Sequence, residues 1–177
     1  MKNLFLLLTL TLTLSCCNKD DDPQPVSELD KLPPATQVGA NTFGCLLDGK
    51  AFLPGNYHNS TNCFYQFTSG SHYFSVHANN INQDNYLISV GVGTNAKEIV
   101  QNGTYALEGM IPSNAYGTYA LEGIPTRTNN TYTGELHISK LDPVNYIVSG
   151  TFWFDVLDFQ GNLHQIRNGR FDMQYTN

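Results

Sequence analysis

The chain has 177 residues and a formal net charge of −6; 14% of its residues are charged, 41% hydrophobic and 12% aromatic. This acidic balance argues against nucleic acid as a partner and against electrostatic binding to anionic lipid headgroups. The length suits a single domain with a sizeable core, and the aromatic and threonine enrichment favours strands.

The start of the chain predicts a lipoprotein signal peptide that ends at residue 16. Lys2 supplies the positively charged n-region of a signal peptide. The apolar run over residues 4–14 is too short to span about 30 Å of hydrocarbon as a helix. The run ends Leu-Ser-Cys-Cys, which resembles the bacterial lipobox, whose cysteine becomes the first mature residue and carries diacylglycerol and palmitate. Cys17 fits this role because Leu14 lies three positions before it, and Cys16 is the alternative.

Residues 17–38 are predicted to be a lipidated tether, acidic and rich in proline. Lys19, Asp20 and Asp21 occupy positions where surface-exported lipoproteins of Bacteroidota carry a Lys-acid-acid signal. No apolar periodicity appears, so we expect disorder. Removing residues 1–16 takes one of the nine cations, which leaves a mature charge of 8 − 15 = −7. The expected location is the outer membrane, where two acyl chains would anchor the protein stably. The export signal predicts that the domain faces the cell exterior.

Residues 39–177 are predicted to form one all-β domain. Turn signals at residues 48–49 and 69–70 separate short apolar runs and predict hairpins. The only helical candidate is residues 96–100. Many short strands with regular turns predict an antiparallel β-sandwich, and a calycin-like β-barrel is the alternative. The predicted strands cover residues 42–47, 50–53, 63–67, 72–78, 86–92, 131–141, 146–156, 163–166 and 170–175.

A short repeat lies in the middle of the domain. Gly-Thr-Tyr-Ala-Leu-Glu-Gly occurs at residues 103–109 and again at residues 117–123. The offset of 117 − 103 = 14 residues is shorter than the period of about 20–50 residues in repeat proteins, so two similar strand–turn units are predicted. The repeated Tyr105 and Tyr119 have two interpretations, stacking on a ligand or packing in the core.

Two cysteines, Cys45 and Cys63, belong to the predicted domain. In an oxidising compartment they could form a disulfide, and the alternative is a pair of buried thiols. No other cysteine or histidine stands at zinc-like spacing to either residue, so neither a metal nor a cofactor is predicted.

Catalytic signals in the sequence are weak. It contains no Gly-x-Ser-x-Gly motif and no calcium-binding loop pattern. Asp155 and Asp158 are the nearest candidates for a pair of hydrolytic carboxylates. Asp158 stands beside turn residues, where Asp is favoured for its side-chain bonds to the backbone. The sequence therefore favours a binding or structural module over an enzyme.

Trp153 is the sharpest binding candidate. Apolar residues take the even positions of residues 148–156, which puts Trp153 on the opposite face with Ser149, Thr151 and Asp155. An exposed tryptophan on a sheet can stack on sugar rings or anchor a protein partner. If both faces of the strand are covered, Trp153 belongs to the core instead.

Both ends of the predicted mature chain carry specific motifs. The first begins Leu-Pro-Pro-Ala-Thr-Gln-Val-Gly-Ala-Asn-Thr-Phe-Gly-Cys-Leu-Leu-Asp-Gly-Lys, and the last reads Asn-Gly-Arg-Phe-Asp. In combination they resemble an uncharacterised family of Bacteroidota lipoproteins, whereas residues 57–130 match poorly. The resemblance implies a lipid-anchored β domain, implies no catalytic residue, and departs from the family at Trp153, where a polar residue is usual. The matching stretches are residues 32–54, 134–142, 147–152 and 168–172.

Together these features predict a surface-exposed lipoprotein whose domain is a glycan- or protein-binding module or a structural module. The alternatives are a hydrolase on a β scaffold and a barrel that holds a small apolar ligand. The expected partners are the membrane, through the lipid anchor, and a glycan or a surface protein.

Overall fold

The computed structural model describes residues 26–177, and these residues form the predicted all-β fold. One short 3-10 helix, Leu29–Lys31, precedes the strands. Within residues 26–177 no helix has the length and apolar character needed to cross a membrane. The strands are β1 Thr42–Leu47, β2 Lys50–Phe52, β3 Thr61–Thr68, β4 Ser71–Ile81, β5 Leu87–Asn95, β6 Thr104–Leu107, β7 Asn114–Leu121, β8 Ile124–Arg127, β9 Gly134–Asp142, β10 Ile147–Leu157 and β11 Leu163–Gln174.

All the described strands belong to one open sheet with the order β2-β1-β11-β10-β9-β6-β7-β5-β4-β3, while β8 pairs with β7 off this path. The pairing is antiparallel except between β6 and β7, which meet in parallel at Leu107 and Ala115. The end strands β2 and β3 do not pair with each other, so the barrel alternative is wrong. Closure fails because β2 has only three residues and the free edge of β3 is met by a single bridge, from Phe64 to Thr176.

The open sheet folds over itself around one apolar core. Phe74 on β4 and Phe171 on β11 lie far apart in the strand order, yet their ring centroids are 6.0 Å apart. Gly117 on β7 lies so close to the ring of Phe154 on β10 that a Cβ there would be 2.6 Å from it. Burial of these side chains supplies the main stabilising free energy of the fold. The largest fully buried side chains are Phe43, Phe74, Phe154, Ile99, Leu107, Leu136, Ile138 and Ile166.

Among residues 26–177, three hairpins close through two-residue turns in which both residues have positive φ, the conformation of type I′ turns. Two of these turns carry the signals recognised in the sequence. The third ends the second copy of the repeat and joins β7 to β8, whereas the first copy runs from β6 into a loop. The two copies therefore differ in structure. The turn residues are Asp48, Gly49, Ser69, Gly70, Glu122 and Gly123.

The helix predicted for residues 96–100 is wrong, because this segment is an irregular connection. Ala96 has a φ of +50°, and Ile99 is buried in the core. Five residues gain too few helical hydrogen bonds to offset the cost of forming the first turn. Packing of Ile99 against the sheet therefore decides the conformation.

Residues 27–40 form a strap that packs against the sheet. Glu28 accepts a hydrogen bond from the backbone N–H of Ala51 (2.8 Å), and Leu32 is buried. The prediction of a disordered tether over residues 17–38 is therefore wrong from residue 27 onward. The strap has no apolar periodicity, and its partners lie far along the chain, so local patterning could not reveal it.

The predicted features of the N-terminus cannot be placed on this fold. The signal peptide, the two candidate lipid-bearing residues and the export signal all lie outside the described residues. These features are Cys16, Cys17, Lys19, Asp20 and Asp21.

Candidate functional site

Trp153 lies on the outer face of β10, away from the core. Its neighbours Phe152 and Phe154 are buried, whereas Trp153 is 42% exposed. Thr151 is exposed on the same face, as the two-residue period of a strand requires. The indole is thus a partly open aromatic surface fixed to a central strand.

The neighbouring strand β9 places polar side chains beside this indole. Glu135 pairs with Trp153 across the two strands, and His137 pairs with Thr151. The Nδ1 atom of His137 lies 3.1 Å from Oγ1 of Thr104 on β6. Directly opposed residues in antiparallel strands have neighbouring side chains, so Glu135 flanks the indole on this side.

On the other side of β10, strand β11 contains a β-bulge. Phe152 pairs with Gly169 and Phe154 pairs with Ile166, so β11 has one residue more than β10 over this stretch. Asn168, within the bulge, has a φ of +53°. A Cβ at Gly169 would lie 2.5 Å from the Phe152 ring. The bulge separates the two strands predicted for residues 163–166 and 170–175, which are one strand in the structure, and it re-aims the side chains around it.

Arg167, at the start of the bulge, holds the indole in place. Its guanidinium carbon lies 5.5 Å from the centre of the Trp153 ring, a cation–π contact. Its Nη2 lies 2.6 Å from Oδ1 of Asp155, and Nη1 donates to the carbonyl of Phe154 (3.0 Å). Asp155 therefore balances the charge of Arg167.

Arg170, after the bulge, is held differently. Its Nε donates to the carbonyl of Asn168 and its Nη1 to the carbonyl of Pro33, both at 3.3 Å. Among residues 26–177, no carboxylate lies within ion-pair distance of Arg170, and Glu135 has no cationic partner there either. The surface around Trp153 therefore carries one unpaired guanidinium and one unpaired carboxylate.

These side chains line a groove of about 540 Å³, which we call the Trp153 groove. The strap forms part of its wall through Ala35, and the bulge forms another part. A ligand here would contact three strands and the strap at once. The lining residues are Ala35, Glu135, Thr151, Phe152, Trp153, Arg167, Asn168, Gly169 and Arg170.

The strap is fixed beside the groove by the buried carboxylate of Asp172. This carboxylate accepts hydrogen bonds from Oγ1 of Thr36 (2.6 Å) and from the backbone N–H groups of Val38 (3.0 Å) and Gly39 (2.8 Å). The Ser149 hydroxyl also donates to it (2.8 Å). Burial raises the pKa of Asp172, but these hydrogen bonds outweigh burial and hold the pKa at about 2.

The repeated tyrosines do not line the Trp153 groove. Tyr119 is only 3% exposed and stacks on His164, with ring centroids 4.2 Å apart, so it belongs to the core. Tyr105 is half-buried, and its hydroxyl accepts a hydrogen bond from the backbone N–H of Val100 (2.7 Å). Of the three predicted stacking residues, Trp153 alone has an open ring next to a groove.

Cys45 and Cys63 are free thiols in the structure, and both are buried. The structure therefore contains two buried thiols, and it does not contain the disulfide that was the other prediction for this pair. Burial raises the pKa of both thiols, which keeps them protonated and unreactive.

The two candidate hydrolytic carboxylates have separate structural partners. Asp155 is paired with Arg167, as described above. Asp158 is buried and accepts hydrogen bonds from the backbone N–H of Asn162 (2.8 Å) and its Nδ2 (3.0 Å), with His164 Nε2 at 3.3 Å. Burial raises the pKa of Asp158, but these bonds bring it down to about 2. Asp158 thus stabilises a turn.

Metal binding gains no support from the side-chain arrangement. Within residues 26–177, no group of three or more histidine, cysteine, aspartate or glutamate side chains is placed to hold an ion.

A second hollow, of about 650 Å³, lies between the strap, β2 and the loop after β4. Among its lining charges, Lys31 and Glu28 pair with each other at 2.7 Å. It contains no exposed aromatic ring like that of Trp153, because its aromatic lining residue, Phe52, is buried. The Trp153 groove is therefore the stronger candidate for ligand binding.

The sequence pattern identifies Trp153 but does not identify Glu135, Arg167 and Arg170 as its neighbours. One available signal was the Asn-Gly pair at residues 168–169, because such a pair inside a strand pattern indicates a bulge. The strand order that brings β9 and β11 to either side of β10 had no local signal.

Comparisons of the chain with protein-family models, with curated proteins and with solved structures found no match. The resemblance to Bacteroidota lipoproteins therefore stays a prediction from the sequence motifs.

Proposed function

We propose that this chain is a lipid-anchored lipoprotein of the outer membrane, exposed at the cell surface, whose domain binds glycans in the Trp153 groove. The sheet, folded over itself as a sandwich-like scaffold, presents the groove on a rigid face. The observation that carries the proposal is the exposed indole of Trp153, set among polar side chains on a central strand.

The chemistry of the groove suits a sugar. The C–H face of a pyranose packs against an indole, and the polar side chains of Glu135, Thr151 and Asn168 can exchange hydrogen bonds with hydroxyl groups. The cation–π contact from Arg167 restrains the indole before a ligand arrives, which reduces the entropy lost on binding. The volume of about 540 Å³ is in the range of about 300–1,000 Å³ found for small-ligand sites.

Removal of the indole provides the direct test. We expect Trp153→Ala to weaken glycan binding by about tenfold or more, because stacking and burial of a large aromatic surface are lost. Trp153 is the chain's only tryptophan, so ligand binding to the wild type should change the intrinsic tryptophan fluorescence directly. The variant would be measured on a glycan array and by calorimetry.

Phe159→Ala is the matched control, because Phe159 is an exposed aromatic residue that does not line the groove. It should bind as the wild type does. Glycan binding that survives in Trp153→Ala, or a wild-type chain that binds no glycan, would contradict the proposal.

A further inference from the structure

We propose that the Trp153 groove selects glycans that carry carboxylate groups, that is, uronic acids, and that Arg170 binds the carboxylate. This inference rests on the proposed glycan-binding function and specifies its ligand class.

The guanidinium of Arg170 is oriented but not neutralised. Its two hydrogen bonds, from Nε to the Asn168 carbonyl and from Nη1 to the Pro33 carbonyl, fix the plane of the group. These acceptors are uncharged, and among the described residues Nη2 has no protein acceptor. A planar guanidinium with free N–H groups matches a carboxylate in both charge and geometry.

Arg167 provides an internal comparison. It lies at the same bulge, yet the carboxylate of Asp155 neutralises it. The chain is acidic overall, with 15 carboxylate residues against nine cations, yet none of the described carboxylates pairs with Arg170. The groove thus retains one positive charge that a ligand can neutralise.

Glu135 sets the direction of the ligand. It lies on β9 and Arg170 on β11, at either side of β10, so the two strands are about 10 Å apart. Glu135 accepts hydrogen bonds from hydroxyl groups and repels carboxylates. An acidic sugar stacked on Trp153 would therefore turn its carboxylate toward Arg170 and its hydroxyl groups toward Glu135.

The test uses the full chain in mild detergent and the fluorescence of Trp153. The probes are oligosaccharides of galacturonic, glucuronic and mannuronic acid, each paired with its carboxyl-reduced neutral counterpart. We expect at least one acid to bind about tenfold more tightly than its neutral counterpart, which is typical of a hydrogen-bonded charge pair. Arg170→Gln should remove this preference, so that the acid and its neutral counterpart bind the variant with equal affinity.

Two further variants separate charge recognition from folding. Arg170→Lys keeps the positive charge but lacks the planar, paired N–H donors of a guanidinium, so it should retain only part of the preference for the acidic probe. Arg127→Gln, at an arginine that contacts Tyr116 outside the Trp153 groove, should retain all of it. Each variant's melting temperature would be measured, so that a loss of fold is not mistaken for a loss of binding.

The outcomes distinguish this inference from the proposed function. Equal binding of the acid and neutral probes, still dependent on Trp153, would overturn the role of Arg170 and leave glycan binding intact. A preference for the acidic probe that persists in Arg170→Gln would also overturn the role of Arg170. If no acidic probe binds, the inference fails; if no neutral glycan binds either, the proposed function fails with it.

Discussion

Asp172 joins two parts of the chain that are more than 130 residues apart in sequence. It is 1% exposed, yet it stays ionised because Thr36, Val38, Gly39 and Ser149 all donate hydrogen bonds to it. A buried carboxylate with this many donors fixes the strap more firmly than apolar contact alone could, since losing any one donor leaves charge unsatisfied.

We expect Asp172→Asn to lower the free energy of unfolding at pH 7 by roughly 2–3 kcal/mol. The amide loses the negative charge and turns an N–H group toward the strap's own donors. The folded pKa of Asp172, about 2, is below its ordinary value of 3.8, so its contribution is complete above that value and is lost as the pH falls toward 2. Urea unfolding of the wild type and of Asp172→Asn at pH 7, 4 and 2 would measure the difference in their free energies of unfolding.

Asp84→Asn, at an exposed loop carboxylate, is the control and should match the wild type at every pH. A gap between wild type and Asp172→Asn that does not narrow toward pH 2 would show that ionisation of Asp172 is not what stabilises the strap.

Among the elements, β11 has the most influence on the Trp153 groove. Its bulge at Arg167 and Asn168 interrupts the register with both β1 and β10, and it puts Arg167 and Arg170 on the same side as the indole. Bulges of this kind commonly lie beside binding sites, where they re-aim a side chain.

We expect Gly169→Ala to destabilise the fold by roughly 1–3 kcal/mol, because the new Cβ would lie 2.5 Å from the Phe152 ring directly below the groove. Displacing Phe152 should also shift the Trp153 emission, which reports the environment of the indole. Thermal unfolding and emission spectra would be recorded together.

Gly109→Ala is the matched control, because a Cβ at Gly109 meets no atom within 4 Å. It should leave both the emission and the melting temperature unchanged. If Gly169→Ala behaves the same way, the bulge is not packed tightly enough to position the groove.

At the scale of the whole molecule, the folded domain includes at least twelve residues on the N-terminal side of the boundary that the sequence predicted at residue 39. Glu28, Leu32 and Thr36 each contact the sheet or its loops, although the sequence around them has no apolar pattern. The strap also forms a wall of the groove through Ala35. The connection to the predicted anchor and the candidate binding site thus share a segment.

Trypsin treatment of intact cells would test the predicted surface location and this boundary together. We expect release of a fragment that starts at Asp20, since Lys19 lies in the predicted tether. The bond after Lys31 should resist cleavage because Leu32 is buried. Mass spectrometry of the released fragment would identify its first residue.

Release only after cell lysis would contradict the surface location, with a cytoplasmic protein as the lysis control. A fragment that starts at Leu32 would instead show that the strap opens easily.

Local signals predicted the parts of the fold that depend on neighbouring residues. The turns at Asp48 and Ser69 and the outward face of Trp153 are of this kind, because turn chemistry and two-residue alternation act over a few positions. The pairing of β1 with β11 and the strap's bonds to Asp172 join opposite ends of the chain, so no window of sequence contains them.

The repeated tyrosines show the same limit most directly. Tyr105 and Tyr119 occupy the same position in identical seven-residue sequences, yet one is half-buried beside Val100 and the other is stacked on His164 in the core. Strand order decides which neighbours each receives. The same reason explains why Trp153 could be identified from the sequence, whereas its partners Glu135 and Arg170 could not.

The bonds between the strap and Asp172 also have a mechanical consequence. In a chain held by its N-terminus, any pulling force enters the domain through the strap. The force then meets the contacts of Glu28 and Leu32, and the Asp172 cluster behind them, before it reaches the paired strands of the sheet. If the predicted anchor holds the N-terminus, tension would therefore act on the strap before it acts on the paired strands, and the first structure to deform would be the wall of the Trp153 groove that contains Ala35.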